Sequence, residues 1–470
     1  MRLSRSFSGV ARLAAVILLA LARGLKGESR AASRLDPNLV VGACLGGRVT
    51  APVPASAPVV VDVPVSWWGT RVGGLPRPFW SIWVGTLVNR LGSFVLPFLS
   101  LFLTRARGYS IGEAGLVLTA MGLGSAISQP IGGSLADNVG RRRTMVAGLV
   151  ASGLTLLGVG AAHGLPLLCV AAFVYGIASD LYRPASQAAV ADLVEDGLRA
   201  RAYALIFWAL NLGFAVATLL GGFLADRGYW LLFVGDAATS VAFAFIVLRM
   251  VPETRPKRHG SVPGSLRGVL ADRLMVALTL SVILQSVAYF QAFYTLPLAV
   301  VHDGLGTTGY GEIIAVNGVL IVLLQPLGLN ALGRRRRGPL LLVANITLGL
   351  GLELTTFADT IAMHLLAVTV WTIGEILGAG QLGALVASIA PIHLRGRYMG
   401  VFGASFGISA FLAPSLGTQT LQHLGESTLW AGCLVCSVLA GVGLLIVANA
   451  ADRRPSGSGT TATCVPTSKS

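Results

Sequence analysis

Five ionisable side chains stand inside stretches that are otherwise apolar: Arg90, Asp180, Arg183, Asp236 and Glu375. Such a group at the centre of a membrane-crossing helix costs about 2.5–3.5 kcal/mol on insertion scales, so each one asks for a reason. Asp180 and Arg183 are three residues apart, share a helix face and can pair. Arg90 follows Asn89 near the middle of its stretch, and Asp236 and Glu375 lie well inside two others. Two chemistries are open. Buried pairs can hold helices together and carry nothing. Alternatively, one acid takes up and releases a proton, because a nearby cation favours the carboxylate and desolvation opposes it. Asp180 and Glu375 are the acids placed for that, and an Asp180 kept ionised by Arg183 would leave Glu375.

The elements that must position these groups are membrane helices. The chain has 470 residues, 54% of them apolar and 12% charged, with a mean hydropathy of +0.75. No soluble domain hides that much apolar surface. The net charge of +15 comes from 32 arginines and 3 lysines. It follows membrane orientation rather than a nucleic-acid surface, and no nucleic acid is expected as a partner. Cys44, Cys169, Cys433, Cys436 and Cys464 give no disulfide framework, and the Cys433–Cys436 pair sits in an apolar span where small packing residues are expected. A phosphate-binding G-x-x-x-x-G-K-[ST] loop is absent, as is the D-D-x-x-D cluster a prenyl-transfer enzyme needs. A sensor would need an output domain, and the segment after Ala451 is too short to be one. Neither an enzyme nor a cofactor or metal site is expected.

From Phe79 onward the hydropathy predicts an all-α membrane protein of twelve helices, near 79–103, 111–133, 144–163, 165–192, 201–223, 229–250, 273–300, 309–330, 338–357, 361–390, 398–421 and 428–449. Loops on the side of Arg141–Arg143 hold 17 Lys and Arg against three on the other side (Arg105, Arg107 and Arg227), which places both termini in the cytoplasm. The chain also repeats itself. Gln129-Pro130-Ile131-Gly132 returns as Gln325-Pro326-Leu327-Gly328, and Leu198-Arg199-Ala200-Arg201 returns as Leu394-Arg395-Gly396-Arg397, both at an offset of 196. Two pseudo-symmetric six-helix halves follow, 76–252 and 273–450, joined by a cytoplasmic loop at 253–272 and followed by a tail at 451–470. Residues 1–75, with Pro52, Pro54, Pro58 and Pro64, read as a disordered N-terminal extension. Internal repeats of this kind mark secondary transporters with a central site between the halves.

The turn between the second and third spans reads Gly133-Ser134-Leu135-Ala136-Asp137-Asn138-Val139-Gly140-Arg141-Arg142-Arg143. It resembles the loop signature of the major facilitator superfamily, G-x-L-A-D-x-x-G-R-[RK], departing only at Asn138. Gly133 and Gly140 bracket the turn and are expected to let two helix ends approach. The resemblance implies that Asp192, closing the fourth helix, pairs with Arg141. It implies too that Asp137 meets the N-terminus of the eleventh helix, where the dipole favours an anion. Together these would latch the cytoplasmic side. The second half lacks an equivalent of Asp137. Gly176-Ile177-Ala178-Ser179-Asp180-Leu181-Tyr182-Arg183-Pro184-Ala185 is similar to the segment carrying a buried arginine in proton-coupled efflux members.

The fifth helix departs from the drug/proton antiporter branch, because no proline follows Gly213; Pro414 with Gly417 in the eleventh is the nearest counterpart. Tyr289, Phe290, Gln291, Phe293 and Tyr294 crowd the outer half of the seventh helix. They form either a lining for a flat, apolar or cationic substrate or an aromatic belt at the membrane interface. The resemblance implies alternating access. The expected function is proton-coupled efflux of small organic compounds or drugs by a monomer in a bacterial inner membrane. The alternative is uptake or export of one metabolite by the same fold. The groups expected in the pathway are Asn89, Arg90, Asp180, Arg183, Asp236 and Glu375.

Overall fold

A computed structural model describes residues 74–254, 267–332, 336–391 and 394–453. The extension expected over 1–75 lies outside the described residues except for Gly74 and Leu75, as do most of the 253–272 loop and of the 451–470 tail. Twelve helices are long and apolar enough to cross a membrane: α1 Arg77–Ala106, α2 Ile111–Asn138, α3 Arg141–Ala161, α4 Leu165–Leu193, α5 Arg201–Ala225, α6 Trp230–Met250, α7 Arg273–Tyr294, α8 Gly306–Gln325, α9 Arg337–Phe357, α10 Ile361–Ile389, α11 Arg397–Leu424 and α12 Glu426–Asp452. Each lies within a few residues of its expected span.

The repeat extends to the helix starts. Arg77 and Arg273, Arg141 and Arg337, Leu165 and Ile361, Arg201 and Arg397, and Trp230 and Glu426 are all 196 residues apart. The interruptions match as well. The helix of α4 breaks after Asp180 and resumes at Tyr182, and that of α10 breaks after Gly378 and resumes at Gln381. Gly380 takes φ +76° at the second break, a left-handed conformation that suits glycine.

The apolar cores show how the halves meet. At the end away from the loop signature, one core runs through both halves and includes Phe98, Leu118, Tyr310, Ile313, Trp371 and Trp430. At the signature end the core is divided. Phe79, Ile82, Met145, Phe243 and Val247 pack within the first half, and Met275, Val282, Leu341, Val386 and Leu444 pack within the second. Among the described residues, the halves therefore share a core at the far end and keep separate cores at the signature end, which is parted.

Lipid gives little hydrophobic drive between helices, so that far-end seal rests on close backbone approach and on hydrogen bonds. A Cβ on Gly122 of α2 would collide with the Ala410 carbonyl of α11, and one on Gly318 of α8 would collide with the Asn211 carbonyl of α5. These two glycines are again 196 residues apart. Thr119 and Ser415 hydroxyls bond at 2.7 Å, the Phe98 and Tyr310 rings meet edge to face at 5.3 Å, and Arg105 Nη2 donates to the Val301 carbonyl at 3.3 Å.

Candidate functional site

Each half brings one titratable group to a break in an equivalent helix. In the first half the break in α4 carries Asp180. Its Oδ1 accepts from Arg183 Nε at 2.8 Å, and its Oδ2 accepts the Ser125 hydroxyl of α2. Both oxygens are thus engaged, one by a cation. The Asp180 side chain is 15% exposed and that of Arg183 43%. Arg90 lies among the same charges, near Arg183, Asp180 and Asp236, and its buried Nε has no hydrogen-bond partner. Gly213 of α5 packs against the Arg90 side chain and the backbone of α1. Asn89 is buried and donates to the Ser240 hydroxyl of α6 at 3.0 Å.

Asp236 has a structural task. The helix of α1 ends at Leu91 and resumes at Val95, which leaves free N–H groups inside the membrane where water cannot satisfy them. The Asp236 carboxylate accepts from Val95 N–H at 3.3 Å and caps the restart. Counting spaced acids along the sequence groups Asp236 with Asp180 and Glu375; its contact separates it from them.

The second half is built differently. Glu375 stands one turn before the break in α10, at the position equivalent to Ser179. Its Oε1 accepts from the Tyr289 hydroxyl at 3.2 Å, and its Oε2 accepts from Asn317 Nδ2 at 2.9 Å. Asn317 is itself buried in α8 and also donates to the Thr372 hydroxyl at 3.0 Å. No cation pairs with Glu375 among the described residues. Sequence reasoning passed over Asn317 and Ser125. A search for uncharged polar residues within apolar spans would have found Asn317.

The aromatic group of α7 turns inward, so an interfacial belt does not describe it. Tyr294 is 5% exposed and Gln291 2%. Gln291 spends its amide on the Ala413 carbonyl of α11 at 2.9 Å and on Thr295, which ties α7 to α11. Tyr289 packs edge to face on Trp371, and Phe293 meets Phe214 of the other half at 5.7 Å. Phe290 sits against Tyr289 and Tyr294.

At the loop signature, Arg141 is 6% exposed and holds three acceptors: Asp137 at 2.8 Å, Asp192 at 3.1 Å and the Ala136 carbonyl at 2.8 Å. The Asp137 side chain is 67% exposed and bonded to Arg141. Gly140 has φ +119°, and a Cβ there would run into Glu253, whose carboxylate accepts from the first free N–H groups of α3. Gly133 corrects the expectation of close approach: it lies within α2 and faces open space.

A family model described as Major Facilitator Superfamily matches residues 82–414. The chain is 24% identical over 357 residues to the Na(+), Li(+), K(+)/H(+) antiporter of Planococcus maritimus, covering 68% of this chain and 84% of that one. It is 25% identical over 388 residues to multidrug resistance protein MdtH of Aeromonas salmonicida, covering 80% and 96%. Among solved structures, a POT family transporter in complex with a thioalcohol-conjugated peptide superposes with a TM-score of 0.68 at 14% identity, covering 81% of this chain and 97% of that one. Twelve spans, a repeated six-helix half, the loop signature and these matches agree: the chain belongs to the major facilitator superfamily and is a membrane transporter, not an enzyme.

Proposed function

We propose that this transporter is a proton-coupled exporter of small organic compounds, with Glu375 as the group that carries the proton. The supporting observation is the contrast in partners. Asp180 cannot take a proton without giving up its ion pair with Arg183, whereas Glu375 is held by a phenol and an amide. Both of those partners can stay in contact with a carboxylate or a carboxylic acid, since a hydroxyl can donate or accept and an amide oxygen can turn to face an acid proton. A proton can therefore come and go at Glu375 without an ion pair breaking. Release of that proton as the compound binds is the exchange that an antiporter needs.

The excess of arginines at the signature end assigns that end to the cytoplasm, so the parted state is inward-open. The space then faces the compartment from which an exporter collects its cargo. Tyr289, Phe290 and Phe293 supply an aromatic wall beside Glu375, suited to a compound with a flat apolar body. The antiporter and the multidrug resistance protein named above favour exchange and export as the direction.

The test is accumulation of a fluorescent cationic dye in cells expressing the wild type, Glu375→Gln or Asp137→Asn, with and without a protonophore. Lower accumulation with the wild type, lost in Glu375→Gln and on adding the protonophore, supports the proposal. A wild type that leaves accumulation unchanged removes it and directs attention to metabolite uptake. An effect that persists with the protonophore overturns proton coupling.

A further inference from the structure

At the far end each half places a polar side chain over the first turn of a helix from the other half, and the two contacts are copies of each other. Asp226, just past α5, accepts the hydroxyls of Thr307 and Thr308 in the first turn of α8, one on each carboxylate oxygen. Gln422, near the end of α11, accepts Gly112 N–H in the first turn of α2 through Oε1 at 2.5 Å. Asp226 and Gln422 are 196 residues apart, and so are Gly112 and Thr308. The helices beneath repeat too: Gly115 meets Thr418 of α11, and its equivalent Gly311 meets Thr218 and Gly222 of α5.

The two copies differ in one way, and the difference has a cause. A helix N-terminus presents free N–H groups and the positive end of its dipole, so it gains from one anion. The first turn of α2 already has its own: Ser110 and Glu113 form a complete capping box. A carboxylate at position 422 would face Glu113 and be repelled, so a neutral amide stands there. The described first turn of α8 contains no acid. Its anion comes from across the interface, as Asp226.

We infer that Asp226 and Gln422 are a two-fold pair of far-end latches, positioning residues that hold the outer side shut while the signature end is parted. The inference rests on alternation between two states and not on the substrate or the coupling ion. For the far end to open, both contacts must break, whereas the Arg141 cluster lies within one half and need not. The far-end latches would thus do for the outer side what the loop signature does for the inner side. Arg105, bonded to Val301 beside them, is a third contact across the same seam.

The test uses the full chain in lipid nanodiscs, with native cysteines replaced by alanine and spin labels at His163→Cys and Asp359→Cys. These exposed positions lie in equivalent loops of the two halves, between α3 and α4 and between α9 and α10. The wild type should show one short distance. Gln422→Ala should raise the ratio of long to short distance about fivefold, as expected for losing one net hydrogen bond; Asp226→Ala, which loses two, should raise it more, and the double variant most. Adding Thr307→Val and Thr308→Val to Asp226→Ala should change nothing further, since those hydroxyls have already lost their partner. Asp226→Asn, which keeps one acceptor oxygen, provides a milder version should the alanine variant fold poorly. An unchanged distance in the double variant at an unchanged melting temperature overturns the inference, as does a full additional shift from the threonine changes. Failure of the dye experiment leaves this result untouched.

Discussion

The two acids at the helix breaks occupy nearly equivalent places and meet opposite surroundings. Asp180 is held by a cation and a hydroxyl; Glu375 is held by a phenol and an amide, with no cation beside it among the described residues. The breaks in α4 and α10 follow the repeat of the two halves, and single side chains differ between them. A repeated backbone frame thus gives one half a charge pair and the other an acid held by neutral partners. The lesson is that pseudo-symmetry governs where a helix breaks and not what chemistry stands at the break.

The largest expected effect separates the two acids by function. In proteoliposomes loaded with a transported dye, Glu375→Gln should abolish accumulation driven by a pH gradient, a loss of about tenfold or more. It should still permit exchange of dye for dye, which moves no net proton. Asp180→Asn should impair both modes equally. Equal loss of both modes in Glu375→Gln would break the comparison, because it would make Glu375 a structural or substrate-binding group.

A smaller effect separates them by stability. Arg183→Ala leaves Asp180 with only its serine partner and should cost about 1–2 kcal/mol, read as a lower melting temperature in detergent. Loss of a fully buried pair costs about 3–5 kcal/mol, but Arg183 is 43% exposed and solvent screens it. The double variant Asp180→Ala/Arg183→Ala should recover part of the loss, since no lone charge remains. A double variant less stable than Arg183→Ala would mean that Asp180 holds the fold by other contacts.

The smallest effect concerns Asp236, which shares the first half with Asp180 and none of its chemistry. Asp236→Ala uncaps the restart of α1 and should cost about 1 kcal/mol of stability. The pH dependence of transport should keep its wild-type shape. A shifted pH profile in a well-folded Asp236→Ala protein would return this acid to the proton pathway.

Hydropathy is a local property and sufficed to place twelve spans; repeated short motifs paired the halves at an offset of 196, and resemblance to the family's loop signature singled out Asp137, Arg141 and Asp192. The Asp180–Arg183 pair was legible locally too, since i and i+3 share a helix face whatever surrounds them. The far-end latches were half legible: the offset relates Asp226 to Gln422, but nothing in either segment says that each reaches across to another helix. Which acid caps a broken helix and which end of the molecule is shut depend on contacts between residues more than a hundred positions apart. Asp236 with Val95 and Phe293 with Phe214 become neighbours only when helices pack. The amino-acid sequence by itself determined the number, the lengths and the repeat of the helices, because lipid forces every apolar run of sufficient length to satisfy its own backbone. Beyond the Asp180–Arg183 pair, the tertiary structure alone decided the partners of the buried charges, because the energy of a charge inside a membrane is set by whatever atoms packing brings within a few ångströms of it.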